Sequence, residues 1–265
     1  ALVLNNADSL LSLAGILTIG DVDVTSASNS GKGIKVTSSA TLGDYDLSAE
    51  SYLDIAANQT LAGQLNLQSG GVLKTSGDGQ YTGDIALAGG KFSATDSQVL
   101  SGTLSITADS ELAVSENYTL TLSQTGGLAL GANTLTLSGG GNLVSGGLTL
   151  NDPSSKLLLN SITVDSVSTS ADSSSGGLDV DNDSTVSSLS VAHITPVSIA
   201  SGKTLSGAIT VTAGSIKLDE TGTLASTVEM SGGTLDVDKT LTLSGALTQS
   251  GAITIDVADT KTLTY

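Results

Sequence analysis

A short phrase returns along this chain about every 19 to 20 residues, and that period constrains the fold more than any other feature. Leu61-Ala62-Gly63-Gln64-Leu65 is followed by Tyr81-Thr82-Gly83-Asp84-Ile85 and Leu100-Ser101-Gly102-Thr103-Leu104. It reappears as Leu205-Ser206-Gly207-Ala208-Ile209, Leu224-Ala225-Ser226-Thr227-Val228 and Leu243-Ser244-Gly245-Ala246-Leu247. A fixed step of this size marks a solenoid, in which no single coil buries its own core and each stacks on its neighbours.

Between these phrases apolar and polar residues alternate, as in Leu104-Ser105-Ile106, Leu235-Asp236-Val237 and Ile253-Thr254-Ile255-Asp256-Val257. Period two specifies strands with one buried face. A second phrase, Gly-Gly before an alternating run, recurs at Gly70-Gly71, Gly89-Gly90, Gly126-Gly127, Gly146-Gly147, Gly176-Gly177 and Gly232-Gly233. Paired glycines permit the positive φ of a sharp corner. The expectation is an all-β chain: one parallel β-helix (β-solenoid) over residues 1–265, with 19 to 20 residues per coil and almost no helix. Coils spaced by about 4.8 Å would stack into a rod of roughly 60 Å. The stretch around 150–200 holds both prolines (Pro153, Pro196), the single His193 and a serine-rich run, Ser166 to Ser175, so longer or irregular corners are expected there.

Composition excludes several function classes. The net charge is −17, and all nine basic residues are Lys. Such a surface repels nucleic-acid phosphates and anionic lipid headgroups, and without Arg it has no bidentate base or phosphate reader. No apolar run approaches the length of a membrane span. The chain has no Cys, which fits a secreted protein that does without disulfides. It opens on Ala1-Leu2-Val3-Leu4, which reads as a mature product or a segment of a longer protein.

Candidate chemistry is sparse. Asp179, Asp181 and Asp183 alternate within one run and could offer oxygens to calcium. Against this, Val180 aligns with Val237, so these carboxylates also read as outward strand positions, and the glycine and distal Glu of a calcium hand are missing. Thr-x-Thr pairs at Thr221 and Thr223, Thr240 and Thr242, and Thr260 and Thr262 are expected to stack into a threonine ladder, a candidate ligand face similar to the ice-binding faces of some β-solenoids. Thr is equally a good outward strand residue, and Lys203, Lys239 and Lys261 lie in or beside the ladder. His193 has no Cys or second His for a zinc set, and no Gly-x-Ser-x-Gly elbow supports a nucleophile. Sugar-cleaving β-helices lean on Arg, clustered carboxylates and aromatic walls; this chain has no Arg, no Trp and one Phe, and no enzymatic role or resident cofactor is expected.

The repeat phrases, Gly-Gly corners, Ser/Thr/Asn/Asp-rich outer positions and absence of Cys together resemble passenger regions of bacterial autotransporters and filamentous-haemagglutinin-like surface proteins. The resemblance implies a secreted, rod-like β-helix on a bacterial cell surface that acts in adhesion, matrix attachment or filament building. Its partners would be further copies of itself, end to end or side by side, and host or matrix glycans.

Overall fold

In the computed structural model, which describes residues 1–218 and 220–265, every regular element among the described residues is a strand. Successive coils pair in parallel, as in Leu65 with Ile85, Leu157 with Leu178 and Ile209 with Val228. The chain is a parallel β-solenoid of about 13 coils, and helix is absent among the described residues. It divides into two compact units: Ala1–Gly126 with Gly141–Val144, and Gly127–Gly140 with Ser145–Tyr265.

Each coil gives one strand to sheet B and one or two to sheet A. In the first unit sheet B contains Leu10–Leu13, Gly33–Val36, Glu50–Ile55, Val72–Ser76, Lys91–Ala94 and Ser110–Val114. In the second it contains Thr134–Ser138, Lys156–Asn160, Gly177–Val180, Thr195–Ile199, Ser215–Leu218, Thr234–Val237 and Thr254–Val257. The recurring phrase lies in the middle of sheet A. Thr60–Gln68 and Thr204–Val211 run through it as single strands, whereas Gln98–Leu100 and Leu104–Ala108 are two strands separated by it.

The central glycine of the phrase has a steric cause. A Cβ on Gly83 would overlap the Gly63 carbonyl oxygen, one on Gly102 the Gly83 carbonyl, and one on Gly207 the Val186 carbonyl. At these glycines the backbones of adjacent coils come together too closely for a side chain, so the period in the sequence records a packing limit. The Gly-Gly phrase is less uniform than its sequence suggests. Gly70-Gly71 and Gly232-Gly233 open sheet B strands, but Gly126-Gly127 and Gly146-Gly147 precede the sheet A strands Leu128–Ala129 and Leu148–Leu150.

Inside, alternate residues form aliphatic columns. Leu135, Leu157, Leu178 and Val197 stack across four coils of the second unit, all fully buried. Each such side chain stabilises the fold by roughly 1.5 to 3 kcal/mol. The first unit adds buried phenols. The Tyr45 hydroxyl lies 3.0 Å from Ser51 Oγ, and Tyr81 donates to the Gly63 carbonyl at 2.8 Å. Burial pushes both phenol pKa values above the usual range; for Tyr45 the Ser51 hydrogen bond opposes part of that shift, and for Tyr81 the Tyr45 and Asp84 charges add to it.

At the corners, side-chain oxygens of one coil satisfy backbone N–H groups of the next. Asp84 accepts from Thr103 N–H at 2.7 Å, Asp183 from Thr204 N–H at 2.8 Å, and Asn151 from Gly131 N–H at 2.8 Å. Much of the Asp and Asn content therefore serves backbone donors that the strand ladders leave over.

The stretch around 150–200, where longer or irregular corners between strands are expected, carries five strands: Lys156–Asn160, Thr163–Thr169, Gly177–Val180, Ser184–Val191 and Thr195–Ile199. Pro153 sits inside a tight turn closed by Ser155 N–H on the Asp152 carbonyl, where its fixed φ is favoured. Pro196 occupies an outward place within Thr195–Ile199, between the buried Thr195 and Val197. The serine-rich corner is tied down as well: Ser173 N–H bonds the Ile194 carbonyl, and Ser174 N–H the Pro153 carbonyl.

Candidate functional site

Most inward positions are filled by aliphatic side chains, and the candidate chemistry lies on the outer faces. Sheet B is occupied by ion pairs. Lys35 lies 3.5 Å from Asp54, Lys74 2.7 Å from Glu50, Lys91 2.8 Å from Glu111, and Lys217 2.9 Å from Asp238. The Lys74 contact holds the Glu50 carboxyl below its ordinary pKa, and Glu50 in turn raises that of Lys74. These half-exposed pairs link one coil to another and each contributes little individually.

In the first unit the outer face of sheet A is acidic and amide-rich. Asp23 pairs with Asp46, and Asp46 with Asn66; beside them Asp44 pairs with Gln64. Asn66 Nδ2 donates to Asp46 Oδ1 at 2.6 Å, and Gln64 Nε2 to Asn66 Oδ1 at 3.2 Å. The amides thus chain to one another and end on the Asp46 carboxylate, while Asp23 faces Asp46 directly.

In the second unit the part of sheet A that precedes the repeat phrase carries a column of hydroxyls. Thr204 pairs with Thr223, Thr223 with Thr242, and Thr242 with Thr264. Ser184 pairs with Leu205, which places Asp183 beside Thr204; Thr163 pairs with Thr185, which places Ser161 beside Asp183. One outward column therefore runs Ser161, Asp183, Thr204, Thr223, Thr242, Thr264. Two residues further along the strands, Thr163, Thr185 and Ser206 form a parallel row. Between the two rows lie the buried Ile162, Ser184 and Leu205. The rows flank an open trough of about 250 Å³ lined by Ser161, Thr163, Asp183, Thr185, Thr204 and Ser206. It can accept and donate hydrogen bonds at the repeat of the strand spacing.

This geometry relocates the residues singled out in the sequence. Asp179 faces outward from Gly177–Val180 and is ion-paired with Lys156. Asp181 is exposed and, with Asp179, Ser198 and Glu220, lines a separate trough of about 240 Å³. Asp183 lies in the hydroxyl column, where it caps Thr204. The three carboxylates are therefore not brought together, and among the described residues no three acidic or histidine side chains are placed to hold a metal ion. Of the six threonines, Thr223 and Thr242 do stack, but the coil partner of Thr242 is Thr264, not Thr262. The last corner contains extra residues, and Thr260 sits in it at positive φ. Thr221 and Thr240 lie just outside the strands and are exposed. The members of the column that sequence reading missed are Ser161, Thr204 and Thr264. Ser161 and Thr204 stand immediately before the buried Ile162 and Leu205, and Thr264 follows Leu263; they join the column only once the coil register is known.

His193 Nδ1 lies 3.4 Å from Asp172 Oδ1, which also accepts Ile194 N–H at 2.9 Å. This pair closes a corner. No helix long and apolar enough to cross a membrane occurs among the described residues. No family model matches the chain, and neither a curated protein nor a solved structure matches it.

Proposed function

We propose that this chain is a structural and adhesive module of a bacterial cell surface, working outside the cell through many weak contacts and associating with further copies of itself. The observation that carries the reading is the six-coil column Ser161, Asp183, Thr204, Thr223, Thr242 and Thr264 with its parallel row Thr163, Thr185 and Ser206. Hydroxyls repeated at the strand spacing suit a neutral, polyhydroxylated matrix polymer, since each contact is weak but contacts along one polymer add through effective concentration. The net charge of −17 favours a neutral over an acidic polymer.

The test is co-sedimentation with insoluble cellulose and chitin, comparing the native chain with a Thr204→Glu, Thr223→Glu double variant. Retention of the native chain and its loss in the variant is the expected result. If neither polymer retains the chain, or the variant is retained equally, the adhesive reading fails. Sedimentation velocity over a wide concentration range tests self-association separately; a single monomer boundary throughout would rule it out.

A second reading is favoured by one feature, the run Thr204, Thr223, Thr242, Thr264 at regular spacing: an ice-binding face. Thr223→Tyr with Thr242→Tyr should then abolish ice shaping, an effect the polymer reading does not produce.

A further inference from the structure

Three Asn-x-Ser/Thr triplets occur in the chain: Asn58-Gln59-Thr60, Asn117-Tyr118-Thr119 and Asn182-Asp183-Ser184. This is the acceptor pattern for N-linked sugar, and the structure separates the three. Asn58 and Asn117 occupy the same place in two corners of the first unit. Gln59 N–H bonds the Ala56 carbonyl at 3.0 Å, and Tyr118 N–H bonds the Ser115 carbonyl at 3.1 Å, so each Asn is the third residue of a tight turn. Each is exposed and left-handed, with φ 61 and φ 70. The hydroxyl residue two positions on, Thr60 or Thr119, is in both cases the first residue of a sheet A strand. In both, its N–H is held by a serine of the preceding coil, Ser39 at 3.1 Å and Ser97 at 3.2 Å. Neither Asn amide has a side-chain hydrogen-bond partner among the described residues.

Asn182 is different. Its Nδ2 donates to Asn160 Oδ1 at 2.6 Å, and Ser184, its hydroxyl residue, is buried. Ser184 Oγ donates to the Asn182 carbonyl at 2.9 Å and accepts Ile162 N–H at 3.3 Å. Both groups a transferase must engage are already committed to the fold.

Turn geometry alone accounts for tolerance of Asn at these corners, because Asn enters the left-handed region more readily than most residues. It does not demand Asn: Gly31 and Gly202 hold the same place in comparable turns, at φ 72 and φ 73. We propose that Asn58 and Asn117 are two surface acceptor sites for N-linked glycosylation and that the folded chain withholds Asn182. In the step, Asn Nδ2 attacks the anomeric carbon of a sugar carried on a nucleotide or lipid diphosphate. The N–C bond forms as the C–O bond to phosphate breaks, the diphosphate leaves, and one Nδ2 proton passes to a base on the transferase. No electrons are gained or lost.

The test incubates the folded full chain with UDP-glucose and a soluble N-glycosyltransferase that recognises Asn-x-Ser/Thr, followed by peptide mass mapping. One hexose on each of the Asn58 and Asn117 peptides is expected, with the Asn182 peptide unmodified until the chain is unfolded in urea. Asn58→Gln and Asn117→Gln should each remove their own adduct and leave the other. The proposal is overturned if neither site accepts hexose while a control peptide does, or if Asn182 in the folded chain is modified as fully as the other two.

Discussion

The long sheet A strands of the two units share a backbone plan and differ in much of what they present. Ala40–Leu47 and Thr60–Gln68 turn Asp44, Asp46, Gln64 and Asn66 outward over an interior that includes Tyr45. Thr163–Thr169, Ser184–Val191 and Thr204–Val211 turn Thr163, Thr185, Ser188, Ser190, Ser206 and Thr210 outward over Val164, Val186, Leu189, Ile209 and Val211. Coil stacking thus constrains the inward columns and the corners and leaves the outer columns free. A surface chemistry that changes from one unit to the other while the frame stays fixed is where function can be written.

The comparison breaks most visibly at the centre of the repeat phrase. In the first unit a Cβ at Gly83 has no space beside the Gly63 carbonyl. In the second, Gly207 is as tightly placed against the Val186 carbonyl, but one coil on Ser226 takes the equivalent place, pairing with Gly207, and its buried Oγ donates to the Leu205 carbonyl at 3.3 Å. Gly83→Ala should therefore cost about 3 kcal/mol, since it forces adjacent backbones apart. Ser226→Gly should cost about 1 kcal/mol, through lost hydrogen bonding and added chain entropy. Urea denaturation measures both; equal costs would mean that the Ser226 position is no more open than the Gly83 position.

Alkaline pH separates the units next. Four of the five tyrosines lie in the first unit, and two, Tyr45 and Tyr81, are buried. Their folded pKa values are raised above that of an unfolded tyrosine. From about pH 10 upward the unfolded chain sheds phenol protons that the folded chain keeps, so stability falls as pH rises; below that the contribution is complete. Tyrosinate absorbance and limited proteolysis together should show the first unit opening while the second stays resistant. Tyr45→Phe should move the transition to higher pH, and simultaneous loss of both units would contradict the assignment.

The smallest effect concerns the acidic face. Asp23 and Asp46 are directly opposed like charges, with amide relief only on the Asn66 side. Asp23→Asn should stabilise by about 0.3 kcal/mol at low ionic strength. The gain should disappear in high salt, which screens exposed charges. A gain that persists in salt would point to hydrogen bonding rather than repulsion.

The phrase Leu-x-Gly-x-Leu, the alternation around it and the shortage of helix-forming patterns define parallel coils from sequence alone, because strand alternation is a local property and the close approach of neighbouring coils leaves a glycine at the same step in most repeats. Alignment between coils is not local. It depends on the length of each corner, and paired residues lie 19 apart at Thr204 and Thr223 but 22 apart at Thr242 and Thr264. A change of two residues in a corner keeps the same face buried, since the side-chain period is two, yet it moves every outward residue to a new neighbour. For that reason the sequence by itself determined the solenoid, its aliphatic interior and the outward direction of Asp179 and Thr223. Only the tertiary structure decided that Asp183 leaves its acidic neighbours to join Thr204, that Thr264 completes the column, and that Asn182 is tied to Asn160 while Asn58 and Asn117 stand free.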